Sequence, residues 1–190
     1  SIAADPLDRA VDIVMAPVSG SYSLVTSFDQ AWGGARTYDP LLPEFSDLTE
    51  IDPNHGYWIT TSTPSALAVD GNRVFPDTPL PVYAGWNLIP YWPVFDIAVG
   101  DAMSSVLGDL AVLSGFKSGA LTHVPGSEFN TLSKMEPGYG YWLKMNQPST
   151  LIYSGAGSQG PLARPAVSPE LAVTPTPWWS SYYGGMEIDG

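Results

Sequence analysis

The sequence predicts a mainly β chain of the α+β type. It reads as two related β-rich modules with one short helix each, the first lacking its opening strand. Three observations predict this. Gly56-Tyr57-Trp58-Ile59 returns 84 positions later as Gly140-Tyr141-Trp142-Leu143. The match runs ungapped from Leu48-Thr49-Glu50-Ile51-Asp52-Pro53 against Leu132-Ser133-Lys134-Met135-Glu136-Pro137 to Gly71 against Gly155. Second, what repeats is aromatic, aliphatic, Pro and Gly, which is the mark of a fold rather than of reactive groups. Third, Gly and Pro at 19 residues each make turns frequent and long helices few.

The elements follow in order. Residues 5 to 15 read as a helix, with Asp5 as cap, Pro6 in the first turn and an apolar stripe of Leu7, Ala10, Val11, Val14 and Met15. Pro17 and Gly20 end it. Ser21 to Phe28 is a strand with Tyr22, Leu24 and Thr26 on one face, and Gly33-Gly34 turns it back into a strand over 35 to 39. Leu48 to Ile51 is short and extended. Asp52 to Gly56 is a turn whose closing glycine allows positive φ. Strands at Tyr57 to Thr61 and Ala66 to Val69 close the module, and Asp70-Gly71-Asn72 turns the chain out. In the second module Val82 to Tyr91 is the opening strand, and Ala98 to Leu107 a helix stopped by Gly108. Strands follow at Leu110 to Phe116, Ala120 to Val124, Tyr141 to Met145 and Leu151 to Tyr153. The counterpart of Val82 to Tyr91 in the first copy falls before Ser1, so the chain opens in the middle of a repeat, as a processed or cut end would. A sheet short of one strand exposes unpaired backbone, and something should fill the gap.

The predicted domains are 1–78, the incomplete copy, and 79–155, the complete one. Residues 156–177 form a linker rich in Pro, Thr, Ser and Gly, and 178–190 an aromatic tail. The tail places Trp178, Trp179, Tyr182 and Tyr183 within six residues, followed by Met186 and Ile188, and it is too short to fold alone. These six are the candidate residues of an inserted strand; the alternative reading of the tail is the opening of a further β domain. Tyr57, Trp58, Trp86, Tyr141 and Trp142 are the candidate repeat core.

Composition narrows the chemistry. Net charge is −12 with seven Lys and Arg, which argues against nucleic acid and anionic membrane surfaces. No apolar run reaches about 18 residues, so no membrane insertion is predicted. The absence of Cys removes disulfides, thiolate metal sites and Cys nucleophiles. No Gly-x-Ser-x-Gly elbow and no phosphate loop occurs. His55 and His123 occupy non-equivalent places in the repeats and read as turn or surface histidines rather than a metal pair. Asp47, Glu50 and Asp52 read as a solvated edge and turn cap; a weak calcium site is the alternative, although Lys134 replaces Glu50 in the second copy. No enzyme activity and no cofactor is predicted.

A Gly-Trp-Asn-Leu strand, then a helix, then Pro-Gly-Tyr-Gly-Tyr-Trp (Gly85 to Leu88 and Pro137 to Trp142) resembles a repeat module of large secreted bacterial surface proteins with Thr-Pro linkers. The resemblance covers Val82 to Tyr153, and residues 7 to 71 as a copy without its start. It implies an extracellular or cell-surface location and no catalytic residue. The expected function is a non-enzymatic, pilus-like structural subunit. Copies would join head-to-tail when the tail of one adds a strand to the incomplete module of the next. Closure by the chain's own tail is the other filling. The alternative function is a carbohydrate-binding or adhesive module with surface glycans as partners.

Overall fold

The computed structural model describes residues 2–153 and 184–185. Among the described residues the chain is β-rich with two short α-helices. Strand β1 (Ala4–Pro6) leads to α1 (Val11–Met15), a 3-10 turn, β2 (Tyr22–Asp29), a second 3-10 turn at Gln30–Trp32 and β3 (Gly34–Tyr38). Then come β4 (Tyr57–Thr61), β5 (Leu67–Ala68) and β6 (Gly71–Arg73). The second half runs β7 (Leu80–Val82), β8 (Gly85–Ile89), β9 (Ile97–Ala98), α2 (Val99–Ala102), β10 (Leu110–Phe116) and β11 (Ala120–His123). It closes with β12 (Lys134–Met135), β13 (Tyr141–Met145) and β14 (Ser149–Leu151). Gly184–Gly185 forms β15.

Each half is built around one larger antiparallel sheet, in the order β3-β2-β4 in the first and β11-β10-β13-β8 in the second, with the two-stranded pairs β1-β6 in the first and β12-β9 and β14-β7 in the second beside them. Each has its own core. One gathers buried side chains from Ile2 to Val69, the other from Val74 to Tyr153. The cores correspond residue by residue. Val11, Met15, Val18, Val25, Leu48, Tyr57, Ile59 and Leu67 of the first match Val99, Met103, Val106, Leu113, Leu132, Tyr141, Leu143 and Leu151 of the second. Backbone bonds repeat as well. Val11 N–H donates to Thr49 and Val99 N–H to Ser133; Leu48 N–H donates to Thr37 and Leu132 N–H to Thr122. The bridge Ala10–Glu50 answers the pair Ala98–Lys134.

Four expectations are corrected. Residues 5 to 10 are not helical: Pro6 ends β1, Asp8 accepts from Ala10 N–H, and Leu7 faces solvent. The predicted stripe overran because Pro at a first helical turn and Pro at a strand end look alike in sequence. The second helix is a single turn over Val99–Ala102 rather than ten residues. On β2 a register shift between Tyr22 and Leu24 turns Val25 and Ser27, not Leu24 and Thr26, into the core. Gly71–Arg73 does not leave the module; it pairs antiparallel with β1. The calcium reading also fails geometrically. Asp47 accepts from Thr37 N–H while Asp52 turns to His55, so the carboxylates do not converge. Among the described residues no group of three or more His, Asp or Glu is placed to hold a metal. No helix among them is long and apolar enough to cross a membrane.

Candidate functional site

The two modules meet across a pseudo-two-fold seam. Phe28 on β2 and Phe116 on β10 are equivalent positions, as are Trp58 on β4 and Trp142 on β13. Their contacts cross the seam reciprocally: Phe28 meets Trp142 at 5.2 Å between ring centroids, and Trp58 meets Phe116 at 6.4 Å. This is the isologous geometry of a symmetric dimer, here within one chain. Strand alternation explains it: Tyr57 and Ile59 point into the first core, so Trp58 between them must point out. The half-buried Trp58 and Trp142 are therefore seam residues, while Tyr57 and Tyr141 are core. Each tyrosine hydroxyl accepts from the backbone N–H of the turn before it, at Asp52 and Glu136. Burial holds both phenols well above their usual pKa. Trp86 is not core. It is 38% exposed, edge-on to Trp142 and with the Lys144 ammonium over its ring.

Gly56 and Gly140 lie at the seam. Gly56 does not adopt positive φ; the glycine is needed for close approach. Its N–H donates to Leu88 carbonyl at 2.9 Å, and a Cβ there would stand 2.8 Å from the Ile89 carbonyl oxygen. Strand β8 thus serves both modules: it pairs with β13 and accepts from Gly56 of the other copy. Trp92, fully buried, adds a second tie by donating its indole N–H to Pro53 carbonyl.

Symmetry ends at β8. In the second module β7 and β8 run antiparallel along β14 and β13, from Leu80 opposite Leu151 to Ile89 opposite Tyr141. Among the described residues β4 pairs with β2 alone. Gly140, buried at the place equivalent to Gly56, finds no acceptor for its N–H among the described residues, and a Cβ there would meet the Ile89 carbonyl oxygen only at 3.6 Å. Strand β5, the counterpart of β14, is joined in parallel by Gly184–Gly185. The candidate insertion residues Trp178, Trp179, Tyr182, Tyr183, Met186 and Ile188 lie outside the described residues.

A feature the sequence did not reveal braces each module where the central strand meets the turn. In the first, His55 lies between two carboxylates, Nδ1 at 2.8 Å from Asp52 and Nε2 at 2.6 Å from Asp29. With an acceptor-only carboxylate on each ring nitrogen, the imidazolium, which donates from both, is the form that fits. Burial pulls the His55 pKa down, and the two carboxylates outweigh it, so the net direction is up. Burial likewise pushes Asp52 up, but His55 outweighs this and holds it low. Trp32 stacks on the imidazole at 4.3 Å, and Arg36 covers the same indole at 4.6 Å. In the second module the equivalents of Asp29, Asp52 and His55 are Lys117, Glu136 and Tyr139. Lys117 pairs with Glu136 at 2.8 Å and sits over the Tyr139 ring. A shallow cavity of about 140 Å³ opens there, lined by Phe116, Lys117, Leu132, Lys134, Glu136 and Tyr139. The ammonium groups of Lys117 and Lys134 both pair with Glu136, and Lys134 also pairs with Asp96.

Both ring nitrogens of His55 are engaged, one by Asp52 and the other by Asp29. Comparison with protein-family models, with curated proteins and with solved structures returned no match.

Proposed function

We propose that the chain is a non-enzymatic structural unit of an extracellular bacterial surface assembly, joined head-to-tail by strand addition from its C-terminal tail. The asymmetry between the modules carries this reading. The edge strand that completes the second sheet has no counterpart on β4 among the described residues. A sheet edge of this kind recruits an extended segment through backbone hydrogen bonds. The aromatic tail beyond a Pro-Thr-rich tether supplies such a segment in sequence. The resemblance to repeat modules of secreted surface proteins supports the location.

The carbohydrate-binding alternative draws less support, because the repeated Trp58 and Trp142 face the seam. Light scattering and negative-stain microscopy on the full chain and on a chain ending at Thr176 test the reading. The full chain is expected to form oligomers or fibres and the shorter one to stay monomeric. Monomers in both cases would remove the assembly reading and make glycan-array binding the next experiment.

A further inference from the structure

Both modules hold an exposed aromatic at the same place. Glu44-Phe45 on the β3–β4 loop answers Glu128-Phe129 on the β11–β12 loop, again 84 positions later. Phe45 is 81% exposed and Phe129 90%, so neither ring serves its own core. The two loops are braced by matching bonds from different side chains. In the first, Ser46 Oγ accepts from Asp39 N–H and the Asp47 carboxylate from Thr37 N–H. In the second, Asn130 accepts from Val124 N–H and Thr131 Oγ1 from Thr122 N–H. The braces have changed in kind while the Glu-Phe tip has stayed. A ring held out in water on a preorganised loop is suited to anchor a partner at little cost in ordering.

The cavity beside Lys117 has the matching size and charge. In the first module the Trp32 ring stacks on His55 and lies under the Arg36 guanidinium. The counterparts of His55 and Arg36 are Tyr139 and Leu121, and both line the cavity. Strands β10 and β11 are joined without the turn that carries Trp32. The place an aromatic ring covers in one module is therefore a cavity in the other. Its volume of about 140 Å³ is close to the roughly 150 Å³ that takes up a benzene ring. Phe116, Leu121 and Leu132 give it an apolar lining, and Lys117 and Lys134, both half exposed, bring ammonium groups to it.

Beyond strand addition by the tail, we propose that the Phe45 ring of a second copy seats in this cavity, with its Glu44 carboxylate on the Lys117 ammonium. Lys117 uses one of its three N–H groups on Glu136, so a further carboxylate finds donors there. Charge selects Phe45 over Phe129. Asp47 and Glu50 flank the first loop, and at their places the second has Thr131 and Lys134. The acidic loop is drawn to the two lysines, whereas the second loop would bring Lys134 against like charge. The equivalent place in the first module is taken by Trp32, so the loop docks through one module and the cavity receives through the other. Such a contact is heterologous and runs from copy to copy. One ring and its neighbours bury well under the about 1,000 Å² of a stable interface, so the contact is weak alone and orients copies that the tail holds together.

A photo-reactive benzoylphenylalanine in place of Phe45 tests this in the full chain. At high protein concentration it is expected to give cross-linked pairs of chains, mapped by mass spectrometry to residues 115–121 and 131–134. The same photo-residue in place of Phe129 is expected to give none there. Adding Glu44→Lys to the chain labelled at Phe45 should cut the product at least about fivefold, and mixing that chain with a Lys117→Glu chain should restore it. Restoration by a partner carrying the opposite change separates docking from misfolding. Cross-links confined to one chain, cross-links mapping elsewhere, or no loss with Glu44→Lys would overturn the docking. Fibres without this cross-link remove the docked loop and leave strand addition standing. The cross-link without fibres supports the docked loop and removes strand addition.

Discussion

The two braces solve one structural problem with opposite charge chemistry. In both modules the end of the central strand must be held to the turn before the Tyr-Trp strand. The second module uses Lys117 and Glu136, a pair whose charges persist across the neutral range. The Glu136 carboxyl is held below its ordinary pKa by Lys117, and the Lys117 ammonium above its own by Glu136. The first module uses an imidazolium between two aspartates, a link that exists only while His55 is protonated. The difference comes with the longer β2–β3 connection, whose Gln30–Trp32 turn is absent between β10 and β11 and supplies the indole stacked on His55. One fold can thus carry a pH-insensitive and a pH-sensitive version of the same joint.

The comparison can be broken at its strongest point first. Gly56→Ala forces a Cβ against the Ile89 backbone and should cost about 2–3 kcal/mol. Gly140→Ala meets ordinary contacts and should cost under about 1 kcal/mol in the monomer. Denaturant melts of both variants of the chain ending at Thr176 check this. Equal losses would refute the asymmetry of the seam. His55→Ala should lose about 2 kcal/mol at pH 6, where the imidazolium makes charge-assisted bonds to both carboxylates.

The pH dependence sharpens the contrast. His55 has a folded pKa raised above its unfolded value. Its contribution is therefore full below about pH 6.5 and is lost as pH rises through the raised value. Asp52 has a lowered folded pKa, so its contribution is present above about pH 4 and is lost as pH falls through the folded value. Amide exchange in the turn at Asn54 and His55, corrected for intrinsic rate, should accelerate between pH 6 and 9, while the turn at Gly138 and Tyr139 stays constant. Parallel behaviour of the two turns would show that His55 is not the titrating link. The smallest effect is expected from Lys117→Ala, about 0.5 kcal/mol and flat from pH 6 to 9, since this pair is half exposed.

Much of the fold was legible because the duplicated residues are the ones that set it. Tyr57 and Tyr141, Leu48 and Leu132, and Gly56 and Gly140 hold the same places in each half, and strands β4, β10 and β13 fall where alternation puts them. What failed was decided by longer-range or finer effects. The bulge on β2 reverses which residues face the core, and no local pattern announces it. Asp70-Gly71-Asn72 has turn composition but is held extended by β1, some 65 residues upstream. The His55 brace was half visible: Asp52 sits three residues before the histidine in the turn. Asp29 comes 26 residues earlier, and only the β2–β4 register delivers it. The role of Trp58 and Trp142 needed the modules' mutual orientation, which neither copy encodes alone.

The aromatic seam also sets what can be copied. Each module turns a Phe-Trp ridge outward that its neighbour covers, so a single repeat expressed alone would present that ridge to water and associate with itself. Gly56 tolerates only the close approach of a β8 backbone, which a tandem neighbour provides and an unrelated domain does not. The element that can be duplicated, transplanted or swapped between longer chains is therefore the coupled pair. An array grown from this unit would be expected to lengthen by two repeats at a time.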